Sequence, residues 1–293
     1  MSTPVRTSAL LFRNAVTSTQ LSRLRNRFAE VNEKAVSGLE LQNASDAPSK
    51  WPSILDLGAA IDDQSVYGSN AERATGLLGV ADTALRDAST AMKRGRELAV
   101  RFSNSSMNAE DRANAAIEVR GLRDTLVDLG NIEIGGRHLF AGTAYDQPAF
   151  DATGAYLGSN DLPEMVIGDQ DRVTVGFDGA SIFGTSLDAL EDLAVALETG
   201  TEVDVNNQLQ VVDDAMGDVI EARSIAGIAY TRAEDTKVLT ESLSIVMNET
   251  LNADIAADPF ETFQHFSELS NHLEATLQLT ARSNSMQGLM QRI

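Results

Sequence analysis

The residues with the widest chemical range in this 293-residue chain are its three histidines, His138, His265 and His272. His265 and His272 stand seven apart, an interval that lets them share a helix face, and the pattern around them assigns no metal. Asp151-Ala152-Thr153-Gly154 and Asp169-Gln170-Asp171 have the outline of cation loops. Neither carries the full ladder of oxygen ligands that ends in a bidentate Glu, so both read as turns. Gly76, Gly79 and Gly95 fall within helical patterns rather than between a strand and a helix, so no phosphate-cradling loop is indicated. The serines have no histidine–acid partners at a readable spacing. The sequence therefore predicts no catalytic residue, no cofactor and no metal ligand, and the chain is not expected to be an enzyme.

Spacing is more informative in the apolar residues. Near the start, Leu21, Leu24, Phe28, Val31 and Ala35 recur at alternating intervals of three and four. Near the end, Phe266, Leu269, Leu273 and Leu277 do nearly the same, and Met286, Leu289, Met290 and Ile293 carry a less regular run to the last residue. A stripe this narrow on an otherwise polar helix can bury itself only against another helix. Chain ends usually fray unless something ties them down. The expected assembly interface is therefore Leu21, Leu24, Phe28, Val31, Phe266, Leu269, Leu273, Leu277 and Leu289.

Prolines divide the rest. Pro4, Pro48, Pro52, Pro148, Pro163 and Pro259 leave two proline-free runs of equal length, 53–147 and 164–258. Proline is costly inside a helix, so these runs are where long helices can lie. In the first run Leu78, Ala81, Leu85, Ala88, Met92, Ala99 and Phe102 keep one face apolar, and Ala115, Val119, Leu122, Leu126 and Leu129 repeat the pattern. Asn108 is a good N-cap between them, with Glu110 and Asp111 in the first turn. In the second run Leu209, Val212, Met216 and Val219 form one stripe, and Leu239, Leu243 and Val246 another. Asp258, Pro259 and Glu261 open the last helix.

The middle differs. It concentrates Phe140, Tyr145, Phe150, Tyr156, Phe177 and Phe183, with short β-like runs at Met165–Ile167 and Arg172–Phe177 set off by turn signals. Thr185 to Asp188 restarts the helical pattern. The expected fold is mainly α: a long antiparallel helical bundle with paired terminal coiled-coil helices and a small β-rich insert. Its parts are the terminal helices 1–44 and 256–293, the bundle arms 45–142 and 187–255, and an outward-facing insert at 143–186. Such an insert should be removable without loss of the arms.

Charge and composition narrow the partners. A net charge of −20 argues against nucleic acid, since phosphate binding needs surplus Lys and Arg. Arg6, Arg13, Arg23, Arg25 and Arg27 nonetheless precede the first acid, Glu30; they make a solvated helix face or a contact with an acidic surface. There is no cysteine, which excludes disulfides, thiol catalysis and Cys-ligated metals. Ala9 to Phe12 is too short for a signal-peptide core, and no run approaches the roughly 18 apolar residues that span a bilayer, so membrane insertion is not expected.

Three stretches carry a family likeness. They are Leu21-Ser22-Arg23-Leu24 followed by Val36-Ser37-Gly38-Leu39 and Asn43-Ala44-Ser45-Asp46-Ala47-Pro48; then Gly136-Arg137-His138-Leu139-Phe140-Ala141-Gly142-Thr143 with Pro148 and Phe150; and Leu269, Leu273, Leu277 and Thr280-Ala281-Arg282. With these residues the sequence resembles the flagellin superfamily, and the second stretch resembles its hook–filament junction branch. The resemblance implies a homo-oligomeric ring, the first hook-associated protein and flagellin as neighbours, and an export chaperone. It also implies an extracellular, flagellar location reached without a cleaved leader. Filament flagellin, or a coiled-coil binding or adhesion module outside the flagellum, are the alternatives that the residues leave open.

Overall fold

The computed structural model describes the backbone over 4–103 and 108–290, and side chains over 18–103 and 108–282. Six α-helices account for most of it: α1 Pro4–Ser37, α2 Trp51–Ser103, α3 Ala109–Gly130, α4 Thr185–Thr199, α5 Glu202–Ile255 and α6 Pro259–Met290. Two short antiparallel hairpins lie between α3 and α4, formed by β1 Glu133–Ile134 with β2 Arg137–His138, and by β3 Glu164–Val166 with β4 Arg172–Thr174. A π-helical turn, Ala180–Gly184, leads into α4. The mainly α fold with paired terminal helices is as the periodicity predicts.

The chain divides into two compact units, Met1–Ala60 with Val246–Ile293, and Ile61–Ile245. In the second unit α2 and α5 run antiparallel, as the ion pairs Asp82–Arg223 and Arg96–Asp213 show by stepping in opposite directions. Arg120 meets Glu198 and Glu191, and Arg123 meets Glu191, so α3 and α4 are also antiparallel. The predicted face of α2 is buried at every named position, from Leu78 to Phe102. Asn108 caps α3 as expected, its side chain accepting a hydrogen bond from Asp111 N at 2.7 Å. Thr201 and Asp204 form a reciprocal cap at the start of α5: Asp204 accepts from Thr201 N at 2.7 Å, and Asp204 N donates to Thr201 Oγ1 at 3.3 Å.

The second stripe on the return arm is different. Leu239 and Val246 are more than half exposed, while the buried positions around them on α5 are small or polar, Ala226, Ala233 and Thr240. Small side chains let this stretch of α5 approach its neighbour closely, whereas earlier on the helix Val205, Val212 and Val219 are fully buried.

The middle segment is not a detachable insert. Phe140, Phe150, Phe177 and Phe183 are buried in the same core as the helices. Phe140 packs edge-on to Phe183 at 4.8 Å between ring centroids, and Phe150 to Phe183 at 6.3 Å. Asn131, just past α3, accepts from Phe150 N at 2.8 Å and donates to Phe150 O at 2.9 Å, tying the segment to the helix end. Gly130 makes room for the Phe150 ring, since a Cβ there would stand 2.9 Å from it. The expectation that this segment can be cut away fails for a physical reason: its aromatics fill space that α3 and α4 leave open. Phe150→Ala should destabilise the second unit by about 3–5 kcal/mol. Replacing residues 150–180 with a Gly/Ser linker should abolish its cooperative melt. Thermal unfolding followed by circular dichroism checks both.

Candidate assembly interface

The terminal pair is assembled from its corner outward. Gly38 ends α1 with φ of 72°, a backbone conformation that favours glycine, and its N–H still reaches Lys34 O at 2.9 Å. The chain then makes an antiparallel bridge between Leu39 and Ala256. Glu40 N donates to Ile255 O at 2.7 Å, and Ala257 N donates to Gly38 O at 2.9 Å. Asp46 closes the corner by accepting from Gln42 N at 3.0 Å and Asn43 N at 2.9 Å. These two backbone donors hold its carboxyl below the usual range, with Ser45 and Lys34 adding to the effect. Asp258 starts α6, accepting from Phe260 N at 2.8 Å and Glu261 N at 3.2 Å.

From this corner α1 and α6 run antiparallel, and Phe28 meets Phe266 at 5.3 Å between ring centroids. The predicted stripes fall on the shared side: Leu21, Leu24, Phe28, Val31, Phe266, Leu269 and Leu273 are all half-buried. Leu277 is more exposed, and Leu289 lies outside the residues whose side chains are described. No apolar side chain of α1 or α6 is fully buried among the described residues. A second set was not foreseen: Val36 and Phe260 are 80% exposed and Phe263 is 70% exposed. Val36 and Phe263, with Ala35, Pro259 and Phe266, line an open groove of about 510 Å³ beside the corner. The signal for it lay in Phe260 and Phe263, which flank the stripe rather than continue it.

Arg23, Arg25 and Arg27 are exposed on α1, whereas the side chains of Arg6 and Arg13 fall outside the described residues. The histidines do not form a site. His138 shares a hydrogen bond of 2.9 Å between Nδ1 and Asn131 O, so the proton is on Nδ1 when the ring is neutral. Glu268 lies three residues from His265 and four from His272, a neighbour the sequence reading passed over. Among the described residues no three such side chains gather at a metal-binding distance. Asp151 behaves as a turn residue, accepting from Thr153 N at 2.8 Å, Thr153 Oγ1 at 2.7 Å and Ala155 N at 2.9 Å. No described helix is long and apolar enough to cross a membrane.

Residues 11–145 match the bacterial flagellin N-terminal helical region. The likeness to the flagellin superfamily is thereby shown. The flagellar hook-associated protein 3 of Salmonella typhimurium is 29% identical over 158 residues, 53% of this chain and 50% of that protein. Its counterpart from Escherichia coli is 28% identical over 176 residues, 59% of this chain and 54% of that protein. The chain thus matches about half the length of these relatives, whose names are those of flagellar components and not of enzymes. A structure assigned as a flagellar hook-associated protein from Vibrio parahaemolyticus shares the fold, with a TM-score of 0.64 at 21% identity. That likeness covers 72% of this chain and all of the other.

The corner gives a pH test. Because Asp46 has a folded pKa below its unfolded value, its contribution to order is full above the ordinary carboxylate pKa and is lost as pH falls through the folded one. Amide exchange at Gln42 and Asn43 should stay protected down to about pH 4 and lose protection below it. In Asp46→Asn the protection should be weaker and flat over that window. Wild-type protection that persists unchanged to pH 2 would contradict this account of the corner.

Proposed function

We propose that this chain is a structural subunit of the bacterial flagellum at the junction of hook and filament. Copies of it form an adaptor ring, with the first hook-associated protein on one side and flagellin on the other. The ends are the assembly domain, 1–44 and 256–293. Residues 45–142 and 187–255 are the arms, and 143–186 is the outward-facing part. The observation that carries this reading is the half-covered terminal pair. Leu21, Leu24, Phe28, Val31, Phe266, Leu269 and Leu273 share one seam, and Leu277, more exposed, keeps its spacing along α6. Each α1–α6 pair leaves the rest of its apolar surface for neighbours. A repeated, heterologous contact of this kind builds helical tubes, and a few layers of it make an adaptor.

In this reading the chain reaches the cell exterior through the flagellar export apparatus with the help of a chaperone. Its action is mechanical joining, with no chemistry. The likeness to hook-associated protein 3 supports the junction over the filament.

Added to flagellin seeds, the purified protein should attach without indefinite growth, whereas a filament flagellin would elongate. Gold-labelled antibody should mark the hook–filament boundary on detached flagella. Leu24→Asp or Leu273→Asp should reduce motility at least tenfold in a swarm assay while leaving the melt of the second unit within a few degrees. Long homopolymers, or gold distributed along the filament, would assign the chain to the filament instead.

A further inference from the structure

One face of α5 meets the middle segment over an open groove of about 520 Å³. That volume is within the roughly 300–1,000 Å³ of ligand-sized clefts. Asp218, Ala222, Ile225 and Ala229 stand three or four residues apart, so a single helix face supplies one side, with Glu221 beside it. The π-helical turn Ala180–Gly184 and the residues that follow β4 supply the other. The whole groove lies in the second unit. Its floor is apolar, with Phe177, Ile182 and Ala222 buried. Leu162 and Ile225 also line it and are 46% and 53% exposed, so the apolar surface continues to the rim.

The charge along the groove is of one sign. Asp178, Asp218 and Glu221 line it, and no Lys, Arg or His does. Asp178 accepts from Ala180 N at 2.9 Å, and Asp218 accepts from Thr185 Oγ1 at 3.2 Å. Each bond takes one carboxylate oxygen. Among the described residues none of the three acids is in an ion pair. The arginines that follow on α5 are engaged elsewhere, Arg223 with Asp82 and Arg232 with Asp171. Carboxylates of like sign over an apolar floor focus negative potential on the groove, and the chain supplies no cation to meet it.

We propose that this groove binds a basic segment of another protein, one in which large apolar side chains alternate with Lys or Arg. The apolar side chains cover Phe177 and Ile182, and the cations reach Asp218 and Glu221. Charge selects this occupant over a second copy, because another copy brings a net charge of −20 towards acids of the same sign. The exposed Arg23, Arg25 and Arg27 of such a copy stand on α1, which the assembly reading already occupies with α6. The groove and its occupant do not depend on the flagellar placement.

Fluorescence anisotropy with the full-length protein tests the proposal through three fluorescein-labelled peptides. They are Gly-Lys-Leu-Lys-Phe-Lys-Gly, its counterpart with Glu for Lys, and its counterpart with Ser for Leu and Phe. The first should bind at least tenfold more tightly than either of the others. Asp218→Asn with Glu221→Gln should weaken its binding at least tenfold, and Ile225→Ser at least fivefold. Asp62→Asn with Asp63→Asn makes the same change of charge at exposed positions of α2 and should leave binding within twofold. All these variants should keep the thermal melt within a few degrees. A photoreactive group in place of Phe in the first peptide should crosslink to the tryptic fragment 224–232, which carries Ile225 and Ala229. No binding of the first peptide would overturn the proposal. Equal binding of the Ser counterpart, or an equal loss in the Asp62 and Asp63 variant, would reduce the effect to net charge and overturn it too. A photoreactive residue at Ile225 that gives an adduct of twice the chain mass without peptide would overturn it in favour of a second copy. None of these readings measures assembly, so each leaves the junction role to its own tests.

Discussion

Two helices share one seam, and a residue on that seam is covered from one side only. This constraint separates the two units of the molecule. In the second unit α2, α3, α4 and α5, together with the middle segment, surround a common interior, and Leu78, Leu85, Met92 and Leu126 have essentially no exposure. In the terminal pair, side chains of the same type and spacing stop at half-burial, although Phe28 and Phe266 are in ring contact. Apolar burial contributes roughly 25 cal/mol per Å², so a half-covered leucine keeps about half of its possible gain in reserve for whatever covers the other side. The corner at Leu39 and Ala256 matters because backbone hydrogen bonds fix the pair's entry beside Ala257, which is buried while the described apolar side chains of α1 and α6 are not.

The middle segment solves a different problem. Its strands are two or three residues long, too short for ladders to stabilise them alone. What fixes the path is a set of rings and side-chain-to-backbone bonds. Asn131 holds Phe150 from both sides of its peptide, and Asn70 donates to Val166 O at 2.8 Å. Gly142 has φ of 60° and faces Ser159 O so closely that a Cβ would collide with it. The Leu139-Phe140-Ala141-Gly142 stretch is therefore demanding on two counts, a buried ring and a backbone turn beside it that excludes larger side chains.

Much of the fold was legible because helices announce themselves through periodicity and caps. Asn108, Asp258 and the face from Leu78 to Phe102 are local signals, and local signals survive folding. The hairpin at Glu133–His138 was missed although Gly135 and Gly136, both at positive φ, are a turn signal; its strands are too short to alternate visibly. Leu239 and Val246 misled for the opposite reason. Periodicity reports which residues share a face, and it does not report whether the chain itself covers that face. The terminal stripes have the same ambiguity, so Leu24 and Leu273 could be recognised as a pair while the exposure of Phe260 and Phe263 beside them could not.

The acidic surplus has a place in this picture. Several carboxylates work as caps and turn closures: Asp46, Asp151 and Asp204 each take backbone donors and are held below the usual carboxylate range as a result. Others pair with arginine across helix seams, as Glu198 does with Arg120. The rest leave a net charge of −20 to act at longer range. At physiological salt that repulsion decays over about 8 Å, so it opposes approach more than it opposes contact once apolar surfaces have met. A chain organised this way stays dispersed while dilute. It still has exposed apolar surface, at the groove by Phe263, on which close contact can be stable. The acidic surplus and the large apolar residues left exposed beside the terminal corner are thus two sides of one arrangement, in which repulsion acts at a distance and apolar contact acts once another surface is close.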